Sequence, residues 1–171
     1  PFGRGRKFGT NWSRALDAVA AGWQINALAS MQSGAPLVIT NTPNTSRALG
    51  GTQRPNSTGI YAGRDSEIQS RLNGFINPAA FSAPALFTYG NLSRTLPDVR
   101  GPRLSNLDLS VFKIFNLSEA VRLQFRAESF NVTNSPMFGQ PNGAFGGATF
   151  GVITGQANRP RQVQLALRLY F

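Results

Sequence analysis

The acidic residues are the first candidates for catalytic chemistry, because the chain contains no His and no Cys. Seven carboxylates are spread thinly along the sequence, and only Asp65 and Glu67 form a close pair. Two neighbouring carboxylates can act as general acid and base in glycoside hydrolysis, but a pair in an exposed polar loop is far more common. Without imidazole or thiolate ligands, a metal site is also not expected. We therefore predict no catalytic residue, no metal, no cofactor and no enzymatic activity.

A row of charged residues occurs at Arg122, Arg126 and Glu128, at even-numbered positions of one segment. Side chains two residues apart share one face of a strand, so these groups are expected to pair with each other or to line a polar interior. The net charge is +10, and all but Lys7 and Lys113 of the 17 basic residues are Arg. Such a balance would suit a nucleic-acid-binding protein, but the basic residues are scattered and lack the aromatic pattern of RNA-binding sheets. We predict no nucleic-acid partner.

The segment 161–171 has the most regular alternation in the chain. One face carries Val163, Leu165, Leu167, Leu169 and Phe171, and the other carries Gln162, Gln164, Ala166, Arg168 and Tyr170. This alternation predicts a strand, and its length matches the roughly 9–11 tilted residues with which a barrel strand crosses a bilayer. The same period occurs in the last strand of a soluble β-sandwich, so this segment alone leaves both structures open.

Three further strands are predicted at about 22–33 with an extension over 36–40, at 104–115 and at 120–130. The last two are joined by a short turn and form a hairpin. Trp23 stands at the start of its strand, where it could meet a membrane interface or anchor a sandwich core. Pro36 lacks the backbone N–H that a ladder requires and interrupts the pattern. Residues 8–21 are predicted to form a connection with one helical turn, and Ser13 is a candidate cap.

The segments 41–103 and 131–160 are predicted to be long loops, since they are rich in Gly, Pro, Asn, Ser and Thr. Long connections that alternate with a short turn are typical of outer-membrane barrels, whose extracellular loops are long. The first loop is expected to be folded because its aromatic residues need cover. Possible ligand contacts among the loop aromatics are Phe81, Tyr89 and Phe138. The predicted fold class is all-β, an antiparallel up-and-down sheet that forms part of a large transmembrane β-barrel.

The two ends of the sequence support the same interpretation. The start, Pro1 to Lys7, has neither an initiator methionine nor a signal peptide, so we expect the chain to be cut from a longer protein. No window of about 18 apolar residues predicts a transmembrane helix. Four strands cannot close a barrel, because the smallest barrels need about eight. On its own, such a sheet would have two unpaired edges and would be prone to aggregate.

Several short motifs occur in a characteristic order. They are Gly22-Trp23-Gln24-Ile25-Asn26, Gln32-Ser33-Gly34-Ala35-Pro36, Asn77-Pro78-Ala79-Ala80-Phe81, Arg100-Gly101-Pro102, Asn106-Leu107-Asp108-Leu109-Ser110, Arg122-Leu123-Gln124-Phe125-Arg126-Ala127-Glu128-Ser129-Phe130-Asn131 and Arg159-Pro160-Arg161-Gln162-Val163-Gln164. Their order and spacing resemble the TonB-dependent outer-membrane receptors, in particular the large Oar-like members with an N-terminal carboxypeptidase-regulatory-like domain. The resemblance spans nearly the whole chain.

The resemblance implies the C-terminal barrel segment of a Gram-negative outer-membrane receptor for energised substrate uptake. In that family the final strand ends in an aromatic residue that the barrel-assembly machinery recognises. The matching residues here are Val163, Leu165, Leu167, Leu169, Tyr170 and Phe171. The implied partners are outer-membrane lipid, the assembly machinery, the plug domain and remaining barrel of the parent chain, and the TonB system. Alternatives from other classes are a secreted carbohydrate-binding β-sandwich and a basic nucleic-acid-binding β-domain.

Overall fold

The structure, a computed structural model, describes residues 2–47, 52–64 and 68–171. Its helices are α1 (Arg14–Ala20), α2 (Ile68–Leu72) and a short 3-10 helix (Pro78–Ala80). Its strands are β1 (Trp23–Gln32), β2 (Thr40–Asn41), β3 (Asn56–Ser57), β4 (Phe81–Ser82), β5 (Leu104–Asn116), β6 (Arg122–Phe130), β7 (Ala144–Phe145) and β8 (Gln162–Tyr170). No helix of the described segments is long and apolar enough to span a membrane.

The chain divides into two compact units. We call residues 1–30, 105–135 and 159–171 the sheet unit, and residues 31–104 and 136–158 the loop unit. The four long strands form one sheet in the order β1-β5-β6-β8. Strand β6 pairs antiparallel with both β5 and β8. The predicted fold class is therefore confirmed as a mostly β, antiparallel four-stranded sheet. The ends of these four strands lie within two residues of those that the alternation predicts.

A short turn joins β5 to β6 at one end of the sheet. In the turn after β5, the Leu117 and Ser118 amides donate to the Val121 carbonyl at 3.0 and 3.1 Å. The Ile114 amide donates to the Gly22 carbonyl at 3.0 Å, which places the start of β1 beside the end of β5. Because β5, β6 and β8 alternate in direction, β6 ends and β8 begins at the other end of the sheet.

Helix α1 lies just before the first strand. The Ser13 hydroxyl caps it by accepting from the Leu16 amide at 3.3 Å, as its position predicts. The helix has two turns rather than one and buries none of its residues. Gly22 then adopts a φ of 72° and turns the chain into β1. A Cβ at this position would lie 2.7 Å from the Ile114 carbonyl oxygen, so only glycine fits.

The loop unit has its own hydrophobic core. It consists of Leu37, Ile39, Ala62, Ile76, Ala80, Phe81, Leu92, Leu96 and Val99, with Phe75, Phe145 and Phe150 packed against it. The rings of Phe81, Phe145 and Phe150 contact one another with centroids 5.5 to 5.8 Å apart. Strand β2 pairs parallel with β7, and β3 pairs antiparallel with β4. The first long loop is therefore folded around its aromatic and aliphatic residues.

Residues 36–40 do not extend β1 as predicted. Pro36 forms an isolated bridge with Arg100, and Thr40 begins β2 of the loop unit. Leu37 and Ile39 are buried in the loop-unit core, while Val38 between them is exposed. The segment thus keeps an alternating pattern, but its apolar side chains belong to the loop-unit core and do not continue the apolar face of β1. Gly34 explains part of the break, since any side chain there would collide with the Gly101 carbonyl.

Candidate functional site

The sheet has one apolar face, which the register between β6 and β8 assembles from paired rows. The pairs are Leu123 with Leu169, Phe125 with Leu167, Ala127 with Leu165, and Ser129 with Val163. On β8 the four apolar side chains of these pairs are 52 to 69% exposed. In a sandwich, a second sheet would cover them. These side chains are exposed, so the packing of a second sheet on this face, which defines a β-sandwich, is not observed among the described residues.

The opposite face of the same strands is polar and joined by side-chain hydrogen bonds. Glu128 accepts from the Gln164 amide at 2.5 Å and lies 3.4 Å from the Arg126 guanidinium. The Tyr170 hydroxyl lies 3.2 Å from the Gln124 side-chain oxygen. Arg168 stacks over the Tyr170 ring at 4.9 Å. The charged row of β6 thus includes an ion pair and is bonded across to β8.

The Arg126 guanidinium also stacks on an aromatic ring of the neighbouring strand. Arg126 lies directly opposite Phe112 in the β5–β6 register, and its guanidinium stands 4.6 Å from that ring centroid. A cation over an aromatic face is attracted by the ring quadrupole. The polar face therefore continues across three strands, with Phe112 supporting its central cation.

Asn131 fixes the end of β6. It adopts a left-handed φ of 50°, which Asn tolerates better than most residues. Its side chain accepts from the Ser135 amide at 3.0 Å and donates to the Ser135 and Arg159 carbonyls, both at 3.2 Å. Its own amide donates to Asp108 at 2.8 Å. Asn131 thus connects the end of β6 to Asp108 in β5 and to Arg159, just before β8, which explains the motifs at 106–110 and 122–131 as structural elements.

Lys113 is the most unusual residue of the sheet unit. It is only 2% exposed and lies opposite Phe125, on the apolar face. Its ammonium donates to the Val19 carbonyl at 3.3 Å and to the Ala21 carbonyl. It also lies 5.2 Å from the Trp23 ring and 5.3 Å from the Phe115 ring. A cation at a helix C-terminus is stabilised by the helix dipole, so Lys113 ties α1 to the sheet.

Sequence reasoning missed this role of Lys113. The only signal was the run Phe112 to Phe115, where the alternation of apolar and polar residues fails. Trp23, whose interpretation was left open, lies partly exposed above the ammonium. Its indole N–H donates to the Val19 carbonyl at 2.8 Å, so it is neither a sandwich core anchor nor free of the helix.

The loop aromatics named from the sequence have three different environments. Phe81 is 5% exposed and lies in the loop-unit core, where its ring partners are Phe145 and Phe150. Tyr89 is 71% exposed. Phe138 is half-buried and bridges to Gln156. Packing in this core explains the burial of Phe81, and contact of these aromatic residues with a ligand stays a prediction.

The carboxylate pair Asp65 and Glu67 lies outside the described residues. Within the described segments, no group of three metal-ligating residues comes together. Of the assembly-signal residues, Phe171 is almost fully exposed, whereas Tyr170 is bonded to the polar face of β6. The candidate site that the described residues form is thus the two-faced sheet itself.

Comparison with known proteins agrees with this geometry. No curated protein and no solved structure matches the chain. A family model described as an outer membrane beta barrel domain matches residues 1–164. Barrel strands of this class carry apolar residues toward lipid and polar residues toward the interior. Strands β6 and β8 likewise have one apolar and one polar face. The protein therefore belongs to the outer membrane beta barrel domain family and is located in the outer membrane.

Proposed function

We propose that this chain is the C-terminal barrel segment of a TonB-dependent, Oar-like receptor that takes up a substrate across the outer membrane of a Gram-negative cell. The observation that carries the proposal is the two-faced sheet joined to a folded unit built from both long segments. The order of motifs that resemble this receptor family supports it further. In this assignment the segment pairs with the remaining strands of the barrel, because lipid cannot form hydrogen bonds with the backbone N–H and C=O groups of an unpaired strand.

The polar face is assigned to the barrel interior. Its hydrogen-bonded row of Arg126, Glu128 and Gln164 suits contact with water or with the plug domain that such receptors hold inside the barrel. The apolar face is assigned to outer-membrane lipid. Burial of its exposed side chains in hydrocarbon stabilises the inserted protein by about 25 cal/mol per Å² of apolar surface removed from water.

The loop unit is assigned to the extracellular side, where barrel connections are long. It contains a cleft of about 400 Å³ bordered by Tyr61, Phe81, Asn91, Ser93 and Asp98. Ligand sites have volumes of about 300–1,000 Å³ and combine an apolar lining with a few polar groups. We propose that the loop unit takes part in capturing the substrate before transport, with exposed Tyr89 as a further candidate contact.

Dependence on TonB tests the proposed function. Cells that express the intact protein would be grown on sugars, iron siderophores, peptides and cofactors as limiting nutrients, with and without a functional TonB protein. We expect growth on one class to need both proteins, and chemical cross-linking in cells to join them. A nutrient response that persists without TonB, together with no cross-link, would contradict the receptor assignment while leaving the barrel fold intact.

Recognition by the barrel-assembly machinery is a separate part of the proposal. Deletion of Phe171 from the intact protein should lower its level in the outer membrane much more than it changes substrate affinity. Phe171→Trp is the matched control and should restore the level, because it keeps a terminal aromatic ring. Normal surface levels of the deletion variant would contradict the role assigned to this residue.

We further propose that the segment is neither an enzyme nor a nucleic-acid-binding domain and needs no cofactor. The absence of His and Cys and the scattered Arg residues support this view. Tight DNA or RNA binding that weakens steeply with salt would contradict it.

A further inference from the structure

The segment 2–23 combines exposed apolar side chains with exposed cations. Its large apolar side chains are Phe2, Phe8, Leu16, Val19 and Trp23, each about half exposed or more. Its cations are Arg4, Arg6, Lys7 and Arg14, which are all exposed. A helix or segment with this mixture suits the boundary between headgroups and acyl chains, where the apolar groups enter lipid and the cations meet phosphate.

Two arginines of this segment, Arg4 and Arg6, border a cleft. It has a volume of about 340 Å³ and is lined in part by Phe2, Arg4, Arg6, Asp17 and Trp23. The Asp17 carboxylate accepts the backbone amide of Arg4 at 2.6 Å. Among the described residues, no carboxylate forms a salt bridge with either guanidinium. Both cations therefore remain available for an anion in the cleft.

The position of the cleft relative to the sheet identifies its surroundings. Trp23 begins β1, Asn116 ends β5, and both residues line the cleft. The ends of membrane-spanning strands lie at the level of the lipid headgroups, where aromatic residues are enriched. This end carries the short turn 117–121, which in barrels of this class faces the periplasm. The adjacent anions are therefore phospholipid headgroups of the inner leaflet.

Guanidinium groups are well matched to such an anion. Their planar N–H donors bind phosphate oxygens in pairs, and basic pockets at a membrane surface bind anionic headgroups. We propose that Arg4 and Arg6 bind the headgroup phosphate of an anionic phospholipid, while Phe2, Leu16 and Val19 contact its acyl region. This site depends on the outer-membrane location of the chain and not on the proposed receptor function.

Binding of short-chain phosphatidylglycerol to the intact protein in neutral detergent, measured by native mass spectrometry, tests the site. The double variant R4A/R6A should bind about tenfold more weakly, the factor that corresponds to about 1.4 kcal/mol of lost charge-assisted contacts. The matched control R54A/R94A removes the same charge from exposed residues of the loop unit and should leave the affinity unchanged. R4K/R6K keeps the charge but loses the paired N–H donors, so its affinity for phosphatidylglycerol should lie between those of the other two variants.

Two further measurements separate a lipid from free phosphate. L16S/V19S should weaken the binding of phosphatidylglycerol by about tenfold, because it removes apolar contact area, and leave binding of water-soluble glycerol phosphate unchanged. Phosphatidylcholine, which has no net charge, should bind more weakly than phosphatidylglycerol.

Equal affinity of R4A/R6A and the unchanged protein, or equal loss in R54A/R94A, would overturn the proposal. Displacement of the lipid by an equal concentration of inorganic phosphate would also overturn it in favour of a free-phosphate site. If R4A/R6A does not assemble, the same comparison is made with R4K/R6K.

Discussion

The sheet unit and the loop unit place their apolar side chains in opposite ways. Of the buried apolar side chains in the described residues, only Phe112 belongs to the sheet unit. The sheet unit instead exposes a full row of leucines on β8 and joins its polar side chains across strands. The loop unit buries Ile39 and Ile76 almost completely.

The difference reflects the solvent that each unit meets. In water, apolar groups gain free energy by packing together, and the loop unit has the core that this predicts. In lipid, apolar groups gain no free energy by packing against one another. Hydrogen bonds between strands must satisfy the backbone N–H and C=O groups. One chain thus contains a unit with its own hydrophobic core and a sheet with an exposed apolar face. Comparable substitutions in the two units should therefore change stability by different amounts.

The largest effect is expected at Phe81, because its ring fills the centre of the loop-unit core. Phe81→Ala should reduce the stability of this unit by about 3–5 kcal/mol, through lost burial and the remaining cavity. The matched control is Tyr89→Ala, which removes an exposed ring and should have little effect. Limited proteolysis of the intact protein in bilayers, followed by mass mapping of residues 31–104, measures both. Equal protease resistance in the two variants would contradict a core at Phe81.

A charge on the lipid face should have the next largest effect. Leu167→Arg near the middle of β8 should destabilise the folded protein in bilayers by about 2–4 kcal/mol. Gln164→Arg puts the same residue on the other face of the same strand, near Glu128, and should change stability by less than about 1 kcal/mol. The measurement is reversible denaturant unfolding in lipid vesicles.

Labelling gives an independent check on the two faces of β8. Cysteines placed at Val163, Leu165, Leu167 and Leu169 should react with a lipid-phase probe, and cysteines at Gln164 and Arg168 should not. The opposite pattern would reverse the assignment of the faces and break the comparison between the two units.

Lys113 is expected to produce a smaller, local effect. Lys113→Met removes the charged donor to the Val19 and Ala21 carbonyls but keeps much of the side-chain volume. Hydrogen bonds to charged groups are worth about 1.5–3 kcal/mol, and that amount should be lost from the docking of α1. Hydrogen exchange of the amides at 14–21 should accelerate accordingly, with Lys7→Met as the exposed control. Unchanged exchange would show that the helix is held by other contacts.

The smallest effect is expected at the ion pair of the polar face. Glu128→Gln should lower the free energy of unfolding by about 0.5 kcal/mol or less, because partly exposed pairs contribute little. The new amide can still accept from Gln164. Glu119→Gln, in the exposed turn, is the control, and the denaturation midpoint in vesicles is the measurement. A loss above about 2 kcal/mol would show that the polar face is sealed from water.

The fold class was accessible from the sequence because each long strand carries its own signal. Alternation along β8 or β6 is local, since side chains of a strand point to opposite faces whatever its neighbours are. The Ser13 cap could be predicted for the same reason, because it depends on residues three apart. The short turn after β5 likewise follows from residues adjacent in the chain.

The environment of individual aromatic and charged residues was not accessible in the same way. The packing of Phe81 in the loop-unit core could not be predicted, because its ring partners Phe145 and Phe150 are more than 60 positions away. Segment 36–40 could be interpreted as an extension of β1, because alternation does not reveal which core receives the apolar side chains. In the sequence, Lys113 only interrupts the alternation of apolar and polar residues. Its hydrogen-bond acceptors, the Val19 and Ala21 carbonyls, lie more than 90 positions away.

The sequence by itself determined that there are strands with one apolar and one polar face, because that property depends only on the order of residues two apart. It also determined that two long polar segments separate them. Only the tertiary structure decided that these segments fold around a core of their own, that Lys113 is buried at the end of a helix, and that Arg4 and Arg6 border one cleft. Those features depend on contacts between residues distant in sequence, which are fixed by packing and chain connectivity rather than by any local period.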